Sequence, residues 1–486
     1  MFPLSGDQIT RLSTGVPGLD QILGGGLPQG SMVFLVGGPG VGKTILAQQL
    51  SFQAARAGRP VQFLTTLSEP HDKLLAFLRS LAFFDPEIVG NGIELINLQS
   101  LMAASPEETV ESIVSAVRKG RVALVVIDDL NGLRGFLASD RAAREFLYEL
   151  SASLGLLGTT LLVNVQADSG DTVRHPEFGV ADAILGLLYV RRGGDHRRQL
   201  EVLKLRGAQY LDGLHSYTIT STGVSCYPRQ ESLPLEANPG FGAGRAGFGL
   251  TKLDAMLGGG LNEGTATMLL GSPGTGKTLC GLHFLVAGAT KGEPGLLLGF
   301  QESAAQLLAK AEAFGLDLAG AVGDGTIQLV TRTPVRMDPD MVVQDVLARV
   351  DRGGVRRLVI DSSRELERTL DSGRAPEFLS AVTAWLRARQ VTTLLTREIT
   401  QIVGSELDFS DTAASVLAEN IVLLRLVEYR GELHRVISVV KMRFSAHDHR
   451  LHEFAIADRG ISLLGELPSG EGLLTGVARG IASEVD

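Results

Sequence analysis

Two stretches of the chain decide its reading: Gly37-Gly38-Pro39-Gly40-Val41-Gly42-Lys43-Thr44 and Gly271-Ser272-Pro273-Gly274-Thr275-Gly276-Lys277-Thr278. Both fit G-x-x-x-x-G-K-T, the loop that wraps the phosphates of a nucleotide. Its glycines let backbone N–H groups turn inward around an anion. The lysine reaches the outer phosphates, and the threonine hydroxyl can ligate Mg²⁺. Around the first loop, Met32 to Val36 reads as a buried strand and Ile45 to Leu50 as a helix. Thr267 to Leu270 and Leu279 to Val286 repeat that order around the second. A helix N-terminus behind each loop adds a dipole that favours phosphate. The expected ligand is therefore ATP with Mg²⁺. The residues expected to hold it are Gly38 to Thr44 and Ser272 to Thr278, with Lys43 and Lys277 also acting in catalysis.

The repeat reaches beyond the loops. Leu19-Asp20-Gln21-Ile22-Leu23-Gly24-Gly25-Gly26-Leu27 answers Leu253-Asp254-Ala255-Met256-Leu257-Gly258-Gly259-Gly260-Leu261, and the loop lysines and these aspartates both stand 234 residues apart. Glu69 and Glu302 are 233 apart, as are Asp128 and Asp361, and Lys204-Leu205-Arg206 precedes Lys441-Met442-Arg443 by 237. So constant an offset means tandem copies of one fold. The expected division is a first domain over 1–227, a Pro- and Gly-rich linker over 228–247 and a second domain over 248–486. Short apolar strands alternate with helical spacing, which predicts an α/β fold with a mainly parallel sheet flanked by helices. One such helix, Pro106 to Val117, has a start signal in Ser105 and Glu108, a capping box. Glu201 to Leu205 with Ser216 to Thr220, and Val436 to Val440 with Leu451 to Ile456, predict an antiparallel extension of each sheet.

Further residues complete the expected sites. Strands ending in Asp128 and Asp361 offer carboxylates for the Mg²⁺ shell, beside Thr44 and Thr278; the alternative is an aspartate that caps the next helix. Glu69 and Glu302 each follow a strand, and a carboxylate near the γ-phosphate can orient or deprotonate an attacking water or hydroxyl. Glu302 is also a candidate for the metal shell. Lys204/Arg206 and Lys441/Arg443 alternate along strands, so each pair shares a face. They are either a solvated strand edge or cations that reach a neighbour's γ-phosphate in a head-to-tail ring.

Composition narrows the function classes. Of 486 residues 44% are hydrophobic and 20% charged, with a formal net charge of -9. No basic field points to nucleic acid. Cys226 and Cys280 are far apart in sequence and have no metal-ligand spacing, which fits a reduced, cytoplasmic protein. No apolar run nears the ~18 residues of a membrane span. Residues 1–10 lack the basic and apolar regions of a signal peptide.

Taken together, these motifs resemble the KaiC family of double-domain, RecA-like ATPases. The resemblance also rests on Lys204-Leu205-Arg206-Gly207, Tyr217-Thr218-Ile219-Thr220, Gln301 to Leu308, Val427 to Leu433 and Lys441-Met442-Arg443. It implies a homohexamer of two stacked rings with ATP between subunits, so that Lys204, Leu205, Arg206, Lys441, Met442 and Arg443 become trans contacts. It implies slow hydrolysis in the first ring, serine/threonine autophosphorylation in the second, and a KaiB-like partner. Three departures matter. Ser68 and Gln301 stand where the family often has a first glutamate of a pair. The phospho-acceptor pair falls on Ser415-Val416, which leaves Ser415 alone. The short 465–486 tail does not match the segment that binds KaiA. Two other readings stand beside this one: a DNA-handling motor resembling RadA or the recombinases, and a scaffold whose assembly is gated by ATP.

Overall fold

The computed structural model describes residues 10–65, 76–102, 105–167, 176–192, 195–234, 240, 242–335, 337–371, 373–399, 418–429, 431–466, 470–471 and 479–480. The chain divides into two compact units, Met1–Leu233 and Pro234–Asp486.

In the first unit a nine-stranded sheet contains β1 (Met32–Gly37), β2 (Val61–Thr65), β3 (Ile93–Asn97), β4 (Leu124–Ile127), β5 (Thr160–Gln166), β6 (Ala183–Arg192), β7 (Asp195–Leu205), β8 (His215–Thr220) and β9 (Gly223–Tyr227). Their spatial order is β3-β2-β4-β5-β1-β6-β7-β8-β9. The second unit has β10 (Ala266–Gly271), β11 (Gly295–Gly299), β12 (Ile327–Thr331), β13 (Arg357–Asp361), β14 (Thr392–Glu398), β15 (Asn420–Tyr429), β16 (Glu432–Met442), β17 (His452–Ala457) and β18 (Gly460–Glu466). Its order, β12-β11-β13-β14-β10-β15-β16-β17-β18, repeats the first. The strands from β3 to β6 and from β12 to β15 pair in parallel. The last three strands of each sheet pair antiparallel, which is the extension expected from sequence.

Both faces of the parallel region are covered, and its strands read accordingly as unbroken apolar runs. Along β1 the side chains alternate between layers: Val33 and Leu35 join one core, Met32, Phe34 and Val36 the other. The helix α1 (Lys43–Arg56) covers the first face with Leu46, Ala47 and Leu50. Helices α2 (Pro106–Gly120) and α3 (Asp140–Leu156) cover the second with Val110, Ile113, Phe146 and Leu150. The capping box of α2 is formed: the Ser105 hydroxyl accepts the Glu108 N–H at 3.2 Å, and the Glu108 carboxylate accepts the Ser105 N–H at 3.1 Å.

The 228–247 stretch expected as a linker has local structure. Gln230–Ser232 forms a single 3₁₀ turn with Gln230 buried. Arg245–Ala246 pairs antiparallel with Leu261–Asn262. The second feature copies Arg11–Leu12 on Leu27–Pro28 in the first unit, so Arg245 and Ala246 open the second repeat.

In both units the strand carrying the G-x-x-x-x-G-K-T loop lies inside the sheet, where the connections switch direction. In open α/β sheets, ligands bind at the carboxyl ends of the strands around such a switch point.

Candidate functional site

Each phosphate-type loop joins its central strand to the helix behind it. Gly42 and Gly276 show why glycine is required. Their φ angles are +104° and +94°, and a Cβ there would sit 2.4 Å from Ile219 Cδ1 and 2.9 Å from Ile456 Cδ1. Only glycine holds that conformation under so close a roof. The outer loop is open: a Cβ built on Gly38 or on Gly274 meets nothing within 4 Å. Pro39 and Gly40 continue that rim, whereas Val41 turns its side chain into the core.

The loop lysines fold over their own loops. Lys43 Nζ donates to the carbonyls of Gly37 and Gly38 at 2.7 and 2.9 Å. Lys277 Nζ donates to those of Gly271 and Ser272 at 2.9 and 2.8 Å. Burial holds both ammonium groups below the ordinary lysine range, partly offset by Asp128 and Asp129 at the first and by Glu398 and Asp361 at the second. An anion in the loop would restore the charge balance of each cation.

The strand-end aspartates meet the loop threonines. Thr44 Oγ1 donates to Asp128 Oδ1 at 3.0 Å, and Thr278 Oγ1 donates to Asp361 Oδ2 at 2.8 Å. The alternative role as a helix cap goes elsewhere: Asp129 caps the short helix after β4, accepting the Asn131 N–H at 2.9 Å. A second side chain orients each aspartate. Asn164 Nδ2 donates to Asp128 at 2.5 Å, and the Thr396 hydroxyl donates to Asp361. Hydroxyl and carboxylate oxygens in this arrangement are hard donors of the kind Mg²⁺ prefers. Thr44 with Asp128, and Thr278 with Asp361, are thus the groups that could hold it.

The second unit has a cavity of about 370 Å³ at this point, lined among others by Lys277, Thr278, Glu302, Lys310, Asp361 and Glu398. Glu302 therefore reaches the site, where it is ion-paired with Lys310 Nζ at 2.5 Å. Lys310 comes from the helix Ala304–Ala313, whose capping box at Ser303 and Gln306 begins one residue after Glu302. Glu69 and Ser415 lie outside the described residues.

The cation pairs stand apart from the loops of their own units. Lys204 Nζ donates to the carbonyl of Gly179 at 3.2 Å, and Arg206 faces Asp182 at 3.6 Å. Lys441 Nζ donates to the carbonyl of Ala418 at 2.8 Å. Leu205 and Met442 point between the cations into the cores. Burial, together with the neighbouring Arg206 and Arg443, lowers Lys204 and Lys441 from the ordinary lysine range. Asp182 and Glu419 partly offset this lowering.

Glu398, Gln166 and Lys310 escape the sequence reading. Glu398 ends β14 in register with Gly271, as Gln166 ends β5 in register with Gly37. Glu398 follows Thr396 and Arg397 rather than an apolar run, so it lacks the strand-end pattern that marks Asp361. The two sites differ at this position, with a carboxylate in one and an amide in the other.

Comparison with known proteins fits this doubled geometry. The family model described as "ATPase: KaiC" matches twice, over residues 12–231 and 247–467. The chain belongs to the KaiC ATPase family. Its two sheets are two tandem RecA-like domains. The chain is 29% identical to the circadian clock oscillator protein KaiC of Synechococcus elongatus, over 96% of its own length and 92% of that protein. It is 28% identical to KaiC 1 of Synechocystis sp., with the same coverage. KaiC of Nostoc sp. is also 28% identical, over 97% of this chain and 92% of that protein. Among the described residues no helix is long and apolar enough to cross a membrane.

Proposed function

We propose that this KaiC-family chain binds Mg-ATP at both loops, hydrolyses it, and autophosphorylates on Ser415 in the second unit as a clock or signalling component. The observation that carries the nucleotide reading is the repeated contact of loop threonine with strand-end aspartate, Thr44–Asp128 and Thr278–Asp361. Two sites built alike by sequence-distant residues favour one shared chemistry. Bound Mg²⁺ would neutralise charge on the phosphates. Lys43 and Lys277 leave their loop carbonyls for the phosphate oxygens, and the inward N–H groups complete the cradle. Glu69 and Glu302 accept the proton of an attacking water, or of a serine hydroxyl in the second unit. Release from Lys310 precedes that step at Glu302.

In this reading the active species is a homohexamer of two stacked rings. Lys204, Arg206, Lys441 and Arg443 then supply their charge to the neighbour's phosphates, which explains why they stand away from their own loops. A KaiB-like protein is the partner that the family suggests, and control by KaiA is not expected. The acidic balance disfavours nucleic acid as a ligand.

Phosphate release tests the core of the proposal. Asp128→Asn and Asp361→Asn should each abolish turnover at one site while the protein stays folded. Turnover retained in the double variant would defeat it.

A further inference from the structure

The two loops are held differently. In the first, the carbonyls of consecutive residues are bonded from outside the loop. Tyr217 Oη donates to the Val41 carbonyl at 2.6 Å, and Tyr189 Oη donates to the Gly40 carbonyl at 2.9 Å. Tyr217 is buried in the core beneath the loop, and its burial raises the phenol above its ordinary pKa, so it stays a neutral donor. Tyr189 is itself braced: Arg198 donates to its hydroxyl at 2.8 Å, and the guanidinium carbon lies 5.1 Å from its ring centroid.

These bonds have a directional consequence. A trans peptide is planar, with its C=O and N–H pointing opposite ways. A carbonyl fixed toward the core or the sheet end turns the following N–H away from it. Tyr217 thus aims the N–H of Gly42 toward the open side of the loop, and Tyr189 does the same for Val41. Successive N–H groups aimed outward together make an anion-binding nest.

Among the described residues, the second unit lacks this device. Gly37 is in register with Leu187 and Gly271 with Leu424, so Leu426 takes the place of Tyr189. His215 pairs with Leu200 and His452 with Ile437, so Phe454 takes the place of Tyr217. Neither side chain has a hydroxyl. A bond inside the loop is found there instead, from Thr275 Oγ1 to the Ser272 carbonyl at 2.8 Å.

We propose that Tyr189 and Tyr217 are positioning residues that preset the first loop for phosphate, so that the first site holds nucleotide longer than the second because its cradle is aimed before the ligand arrives. The proposal rests on the reading of both loops as nucleotide sites. It concerns neither the reacting atoms nor the metal groups.

The test uses the full chain loaded with methylanthraniloyl-ADP and chased with excess ATP, so that dissociation is read as a fluorescence decay. With Lys277→Ala only the first site reports, and with Lys43→Ala only the second. The first site should release more slowly. In the Lys277→Ala protein, Tyr217→Phe and Tyr189→Phe keep the rings and remove one hydrogen bond each. Each should speed release about fivefold, as expected for a net loss near 1 kcal/mol. The same substitutions in the Lys43→Ala protein should leave release from the second site unchanged. Phe454→Tyr should slow release from that second site. If Tyr217→Phe fails to fold, Tyr189→Phe carries the test, since its ring lies at the surface. Unchanged release from the first site, or equal acceleration at both sites, would overturn the positioning role. Nucleotide retained at full level by the Lys43→Ala, Lys277→Ala double variant would instead overturn the nucleotide reading beneath it.

Discussion

Replacing Lys310 by alanine asks whether the second site holds its glutamate in reserve. Lys310 Nζ and Glu302 Oε1 are 2.5 Å apart, and the two side chains are 31% and 27% exposed. Water screens a pair of that exposure, and such pairs are typically worth ~0.2–1 kcal/mol. In the proposed reaction Glu302 leaves this contact to face an attacking water. Removing the lysine removes that cost, so turnover at the second site should rise by up to about fivefold, the rate equivalent of ~1 kcal/mol. Folding stability should fall by no more than the same ~1 kcal/mol. The assay is steady-state phosphate release by the Lys43→Ala, Lys310→Ala double variant against Lys43→Ala alone, with nucleotide saturating. Glu302→Gln in the same background sets the floor, about 10²–10⁴-fold lower. A tenfold or larger loss in the Lys310→Ala variant would instead make Lys310 a cation the reaction needs and rule out a reserve role for the pair.

Other outcomes follow from the same account. Glu69→Gln should lower hydrolysis at the first site by ~10²–10⁴-fold while nucleotide content stays intact; lost binding with unchanged turnover per bound ATP would count against it. Light scattering should show the proposed ring dissociating when Mg-ATP is stripped, and the Lys204→Ala, Arg206→Ala double variant should weaken assembly even with nucleotide present, since the proposed charge-assisted bonds to phosphate vanish with either partner. Phosphopeptide mapping after incubation with Mg-ATP should find phosphate on Ser415 and none on Ser415→Ala protein; an undiminished load in that variant would remove the autokinase assignment from this residue.

Much of the fold was legible because each loop motif fixes a strand before it and a helix behind it. The repeat at a near-constant offset then doubled every weaker signal. Asp128 and Asp361 were legible because an apolar run ending in acid is a short, local pattern. The opening of the second repeat at Arg245 was not, because Arg245–Ala246 is only a two-residue strand and its partner Leu261–Asn262 lies beyond a helix. Glu398 and Lys310 were missed for a related reason. Their place in the cavity depends on the parallel register of β14 beside β10 and on about two helical turns between Glu302 and Lys310. Tyr189 and Tyr217 needed still longer-range information, since a hydroxyl bonded to a loop carbonyl leaves no spacing to read. Lys204, Arg206, Lys441 and Arg443 were legible as charged faces, but the target proposed for them belongs to another subunit.

On the proposed reading, one chain carries two independent nucleotide sites. The most direct test counts nucleotides per chain after purification in Mg-ATP and removal of free ligand. The unaltered protein should hold two and Lys43→Ala and Lys277→Ala one each, the survivor being at the other loop. A single variant that stays folded and assembled yet holds none, or a double variant that still holds two, would contradict it.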